Sequence, residues 1–225
     1  NGCELMVFSY FPDLSQPLQY NIRRSLTMNI RTELENTVGV QPMIQLNDVN
    51  LNPAHIRAIL INEVVPADPR QDFYGSREAD YLTTTFALFR EAGLPVTTIQ
   101  ELLDAGIYIT NAVKIPKTES TVENSAIDIS LPYLKKELSL FPQLKAILLM
   151  GDVAKKAFNK ITKQTIKKNI VPAISTYKLR NSELYYGDIR IFPSYIMTGK
   201  NILIEKSKFA MAAEDIQRML KLIQD

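Results

Sequence analysis

Ile59-Leu60-Ile61-Asn62-Glu63-Val64-Val65-Pro66-Ala67-Asp68-Pro69-Arg70-Gln71-Asp72-Phe73-Tyr74-Gly75 begins as an uninterrupted apolar run and ends as a loop with three carboxylates, two prolines and two adjacent aromatic residues. Ile59 to Ile61 reads as a buried strand, and turn-forming residues follow it at once. In open α/β sheets ligands sit beyond the carboxyl ends of strands, where loops present polar groups from a rigid base. This strand end is therefore a candidate site. The rest of the chain can be read by asking what converges on Glu63, Asp68, Asp72 and Phe73.

Downstream of this stretch, strand and helix patterns alternate. Arg77 to Ala92 is periodic at Ala79, Leu82, Phe86, Leu88 and Phe89 and stops at Gly93, as a helix with a glycine terminus does. Ile107 to Thr110 reads as a strand running into Asn111 and Lys114, and a polar stretch from Lys117 to Asn124 leads to a helix over Ser125 to Leu140. Pro132 inside that helix predicts a kink or break. Leu144 to Met150 is a further buried strand, and Gly151-Asp152 opens a helix over Val153 to Lys160. Leu184 to Tyr186 and Asp188 to Phe192 read as two strands joined near Gly187, and Ser207 to Gln224 as a closing amphipathic helix. Such alternation predicts an α/β fold, with a mostly parallel sheet covered by helices on both faces.

Upstream, the pattern is weaker. Pro12 and Pro17 punctuate the start, Ile22 to Leu34 is partly helical and carries Arg23, Arg24 and Arg31, and Val38 to Asn52 is irregular. Residues 1–55 are expected to form an extension packed on a core domain of residues 56–225.

At 225 residues, 46% hydrophobic and 22% charged, the chain suits one globular domain with a substantial core. A net charge of +2 excludes the global basic character of a protein that coats nucleic acid, so any such contact must be local. Cys3, the one cysteine, excludes an internal disulfide and any multi-cysteine metal or iron-sulfur site, and predicts a reducing, cytoplasmic setting. No apolar run of about 18 residues and no signal-like start occurs, so neither a membrane span nor a signal peptide is expected.

Three places, in order, resemble the uracil-DNA glycosylase superfamily, and within it the branch of small prokaryotic, often iron-sulfur-containing members. The first is Asn62-Glu63-Val64-Val65-Pro66-Ala67-Asp68 with Asp72-Phe73-Tyr74-Gly75, similar to that branch's acidic loop and following phenylalanine-glycine segment. The second is Ile107 to Lys114, similar to the strand that ends in a base-reading asparagine. The third is Leu131 to Leu134 with Ala146 to Ala154, similar to the helix, strand, glycine and helix that follow. The resemblance covers roughly residues 56 to 160. Past it, Phe192-Pro193-Ser194-Tyr195 stands where the family has histidine-proline-serine, and the cluster cysteines are absent.

The resemblance implies a three-layer α/β sandwich that flips a deaminated base, most simply uracil, out of DNA and excises it hydrolytically, without a metal or organic cofactor. The expected partner is DNA containing a damaged base, as in base-excision repair, and the expected state is a monomer without membrane contact. Breaking an N-glycosidic bond passes through an oxocarbenium-like sugar, which a carboxylate can stabilise while it orients water. Glu63 takes that role, with Asp68 as second choice; the plain alternative is a solvated acidic loop. Asn111 would read the base edge and Phe73 would stack on it, against the alternatives of a turn asparagine and a core phenylalanine. Ser194 would contact substrate, and Tyr195 and Lys200 the DNA backbone. The lysines 155, 156, 160, 163, 167 and 168 suit phosphates or a solvated helix face. A lost histidine donor typically costs about 10²- to 10³-fold in rate, and His55, about 26 Å of extended chain before Glu63, belongs at the wrong end of the strand. Two rival readings remain: a superfamily member that binds nucleic acid without turnover, and an enzyme hydrolysing free nucleosides.

Overall fold

A computed structural model describes residues 27–117 and 122–224. Cys3, Pro12, Pro17, Arg23 and Arg24 of the expected extension, and positions 118–121 of the polar stretch, lie outside these residues. In chain order the elements are β1 (Met28–Asn29), α1 (Ile30–Thr37), β2 (Asn50–Leu51), β3 (Ala58–Val64), α2 (Asp80–Glu91), α3 (Ile99–Asp104), β4 (Ile107–Val113) and α4 (Asn124–Ser139). There follow β5 (Ala146–Met150), α5 (Asp152–Ile166), α6 (Thr176–Leu179), β6 (Leu184–Tyr186), β7 (Ile189–Ser194), α7 (Asn201–Ile204) and α8 (Lys206–Gln224).

Five strands form the main sheet in the order β4-β3-β5-β7-β6. All neighbours are parallel except the β6–β7 hairpin, which turns at Gly187. The period of two along each strand divides the apolar residues between two cores. Ile59, Ile61, Tyr108, Ile147, Leu149 and Ile191 face a layer built from α1, α4 and α5. Leu60, Ile109, Leu148, Met150 and Phe192 face a layer built from α2 and α8. A sheet buried on both sides needs apolar residues at consecutive positions, which is why the central strands read as continuous apolar runs.

The expected three-layer α/β architecture is therefore present, with local corrections. Helix α4 runs unbroken through Pro132. Burial of Ile127, Leu131, Tyr133 and Leu134 on the sheet offsets the roughly 3 kcal/mol that an interior proline costs. Helix α3 is absent from the reading by periodicity, although Thr98 and Glu101 form a complete capping box at its start. Helix α5 extends to Ile166, and the extension's Ile30 and Leu34 lie inside the first core. That core also buries a charged cluster: Lys114 Nζ donates to Glu137 Oε2 at 2.6 Å, while Tyr108 OH and Thr110 Oγ1 donate to Glu137 Oε1 at 2.7 and 2.8 Å. Each group there is paired, as buried charge requires.

Candidate active site

Strands β3, β5 and β7 end together, and beyond their carboxyl ends lies a groove of about 490 Å³. Glu63, Gly151, Asp152, Ser194, Tyr195, Thr198 and Lys200 are among its lining residues. Of the residues expected from sequence, Glu63, Ser194, Tyr195 and Lys200 thus share one groove. Asp68, Phe73 and Asn111 do not line it.

Glu63 is the penultimate residue of β3 and has the parity of Ile59 and Ile61, which turns it toward α5. Its Oε1 accepts the Val153 backbone N–H at 3.0 Å, in the first turn of that helix. Burial pushes the carboxyl pKa above its ordinary value, and the Val153 and Asp152 amides oppose that shift. Gly151 makes the contact possible: its φ is +113° and a Cβ there would overlap the Glu63 carboxylate. One glycine therefore fixes both the strand-to-helix turn and the seat of the acid.

Asp68 lies elsewhere. It caps the short turn Pro69–Gln71 by accepting from Arg70 N at 3.0 Å, and it pairs with the Arg70 guanidinium at 2.8 Å. That pairing holds its pKa below the ordinary value. A half-buried acid engaged by its own loop is a turn-former, so the expected catalytic part for Asp68 is not supported by its position.

Asn111 and Phe73 meet at a residue outside the expected set, Asp72. Asn111 Nδ2 lies 3.0 Å from both Asp72 carboxylate oxygens, and Asp72 Oδ1 also accepts the Phe73 N–H at 2.9 Å. Burial raises the Asp72 pKa, against the opposing Asn111 and Phe73 bonds. Phe73 has no exposed surface; its ring packs 5.2 Å from that of Tyr81. It belongs to the second core, and in this conformation offers no face to a base. Asn111 is 1% exposed, and its Oδ1 accepts from Asn62 Nδ2 at 2.7 Å. Asn62 Oδ1 accepts in turn from Thr198 Oγ1 at 3.0 Å, and Thr198 lines the groove. A continuous polar chain, Asp72–Asn111–Asn62–Thr198, thus runs from the second face of the sheet to the groove wall.

Ser194 is fully buried and donates to Asp215 Oδ2 at 2.6 Å. Asp215, also fully buried, is paired with Arg180 at 2.8 Å and with Arg218. The hydroxyl of Ser194 is therefore committed to tying β7 to α8, and the expected substrate contact is corrected accordingly. Tyr195 is half-buried and Lys200 exposed at the rim. The segment from Met197 to Asn201 is only partly solvent-facing, since Met197 and Thr198 are buried. Ile196, Leu203 and Ile204 are 39%, 43% and 74% exposed beside it.

Phe192 faces the second core and lies 5.3 Å beneath the Arg190 guanidinium, so position 192 supplies no proton donor to the groove. His55 sits before β3 with Nε2 2.7 Å from Asp104 O, at the far end of the sheet. The lysines of α5 are mixed: Lys155 is buried against Asp152 and Thr176, Lys160 pairs with Asp128, and the others face solvent. Among the described residues no group of three or more histidine, cysteine or acidic side chains could hold a metal ion. No helix among them is long and apolar enough to cross a membrane.

Sequence reading put Asp72 at this strand end without giving it a role, took Gly151 only as the opening of a helix, and missed Asp215. Gly151 after the apolar run Ala146 to Met150 was a legible signal for a close approach; Asp72 and Asn111 are brought together only by folding. A family model described as the uracil DNA glycosylase superfamily matches residues 49–213. A search of curated proteins finds no match.

Proposed function

The chain belongs to the uracil DNA glycosylase superfamily, and from that membership we propose that it hydrolyses the N-glycosidic bond of a deaminated base, uracil first, in DNA. The observation that carries the proposal is Glu63: a partly buried carboxylate with a raised pKa, held by the Val153 amide on the floor of an open groove. A base with its pKa moved toward the working pH is better suited to proton transfer than an ordinary solvated acid.

In this reading the flipped nucleotide enters the groove sugar first toward Glu63. As the bond between C1′ and the base nitrogen lengthens, its electron pair leaves with the base and positive charge grows on the sugar. The Glu63 carboxylate stabilises that charge and takes a proton from the water that adds to C1′. The departing base carries the electron pair away and is protonated from solvent. Lys200 at the rim and the exposed Ile204 at the end of α7, whose Asn201 and Ile202 line the groove, offer a cation for phosphate and an apolar tip for an unstacked base step.

Release of free uracil from single-stranded and mismatched oligonucleotides tests this directly. Wild type should release base, and Glu63→Gln should lower the rate by about 10²- to 10³-fold, the size typical of one lost electrostatic group. No release by wild type, or an unchanged rate for Glu63→Gln, overturns it.

Binding without turnover is the second reading, favoured by one observation: the strand position after Ile191 holds Phe192, directed into the core. Wild type that binds oligonucleotides with a steep salt dependence and releases no base selects that reading.

A further inference from the structure

The polar chain behind the groove has a direction. Asp72 presents both its carboxylate oxygens to the Asn111 amide nitrogen, at 3.0 Å each. That commits the Asn111 amide nitrogen to Asp72 and points Asn111 Oδ1 toward Asn62, which must then donate from Nδ2, as it does at 2.7 Å. Asn62 is left with Oδ1 facing Thr198, whose single hydroxyl proton goes to it at 3.0 Å. Each group is at least nine-tenths buried, where such hydrogen bonds are stronger than in water. The Tyr81 phenol nearby gives its own proton to the Val64 carbonyl at 2.8 Å, so toward Thr198 it too can only accept.

We infer that Thr198 is a specificity-determining residue: its hydroxyl oxygen, stripped of a free proton by the Asp72-anchored chain, is an obligate acceptor that reads a ring N–H of the base bound in the groove. This deepens the glycosylase reading and rests on it for the location of the base. The chemistry selects one class of ligand. Cytosine N3 and adenine N1 are bare acceptors, which an acceptor repels. Deamination turns them into the N3–H of uracil and the N1–H of hypoxanthine, which an acceptor binds. An acceptor fixed in place by a buried carboxylate therefore separates deaminated bases from their parents at the ring nitrogen, where an untethered hydroxyl would rotate to suit either.

The test measures affinity, apart from turnover. Single-stranded oligonucleotides identical but for one central uracil, hypoxanthine, cytosine or adenine are bound to the full chain, and the ratio of deaminated to parent affinity is read. Wild type should favour each deaminated base by about five- to tenfold, the worth of one neutral hydrogen bond. Thr198→Val, which keeps the shape and removes the oxygen, should bring the ratio to about one, and Thr198→Ser should restore it. Asp72→Asn, which lets the chain run in either direction, should lower the ratio without altering the groove wall. Circular dichroism confirms folding of each variant, and Thr198→Ser serves if Thr198→Val does not fold: loss of preference in that variant overturns the inference. A ratio near one in wild type, or an undiminished ratio in Thr198→Val, also overturns it. Wild type that shows the preference and releases no base leaves Thr198 as reader and sinks only the catalytic reading.

Discussion

Asn62 and Asn111 are register partners on the parallel strands β3 and β4, and their side-chain amides are joined from Nδ2 to Oδ1 at 2.7 Å. Glu63, one residue along, has the opposite parity and points to the other face of the sheet, against α5. The acid and the amide pair therefore work from opposite faces. Among the described residues, Thr198 is the groove residue whose side chain hydrogen-bonds to the amide pair.

Truncating Asn111 to alanine should be costly. Asp72 and Asn62 would each keep a buried polar group and lose its partner, and an unsatisfied buried group costs about 1–3 kcal/mol. Urea denaturation should show a lower midpoint at constant slope. A midpoint equal to that of wild type would mean that water or a neighbouring side chain takes up both bonds.

Stability should also carry the mark of two strained acids. Glu63 and Asp72 have pKa values raised by burial above the ordinary 4.5 and 3.8. The native protein then holds protons that the unfolded chain has released, so these groups favour folding most at acid pH, and that contribution is lost as pH rises through the raised values. Asp68 and Glu101, with lowered pKa values, act in the opposite sense, so the readout is a difference. Glu63→Gln should be more stable than wild type at neutral pH, and the advantage should vanish below pH of about 4. An advantage independent of pH in denaturation series would show that Glu63 titrates normally.

Gly151→Ala tests the seat of the acid. A side chain at φ +113° is strained, and the new Cβ overlaps the Glu63 carboxylate. The variant should lose about 1–3 kcal/mol of stability and release base as poorly as Glu63→Gln. A variant that loses stability and keeps full activity would separate the Val153 contact from catalysis.

Much of this architecture was legible because burial on both faces of a sheet leaves unbroken apolar runs, as in Ile59 to Ile61 and Ala146 to Met150. The place of Glu63 at the strand end was legible too, as the first acid after such a run. Phe73 and Ser194 were placed at the correct edge and given the wrong surroundings. Whether an aromatic ring faces a cleft or a core depends on the helix that packs over it, here α2 through Tyr81. Whether a serine hydroxyl is free depends on partners from distant segments, here Asp215 of α8. Asp72 meets Asn111 across 39 residues of chain, and no local pattern marks such a meeting. Thr198 has polar neighbours in Gly199, Lys200 and Asn201 and no local sign of burial; its burial follows from Met197 beside it, which belongs to the second core.

The groove rim separates charge from apolar contact. Lys200 is exposed there, while Lys208 pairs with Glu205 and Lys155 with Asp152. If Lys200 meets a phosphate, Lys200→Ala should weaken oligonucleotide binding evenly across sequences and reduce the slope of log affinity against log salt by about 0.7–1. Ile204 is 74% exposed on the short helix α7, where an apolar side chain gains nothing from water. Its replacement by alanine removes surface that can rest against an unstacked base, a contact that depends on stacking and not on ions. Ile204→Ala should lower affinity by about tenfold or less and leave the salt slope unchanged. Fluorescence anisotropy over a salt series distinguishes the two. A parallel loss of slope in both variants would mean that α7 moves as a unit on the DNA. No loss in either would place the nucleic-acid contact away from this rim.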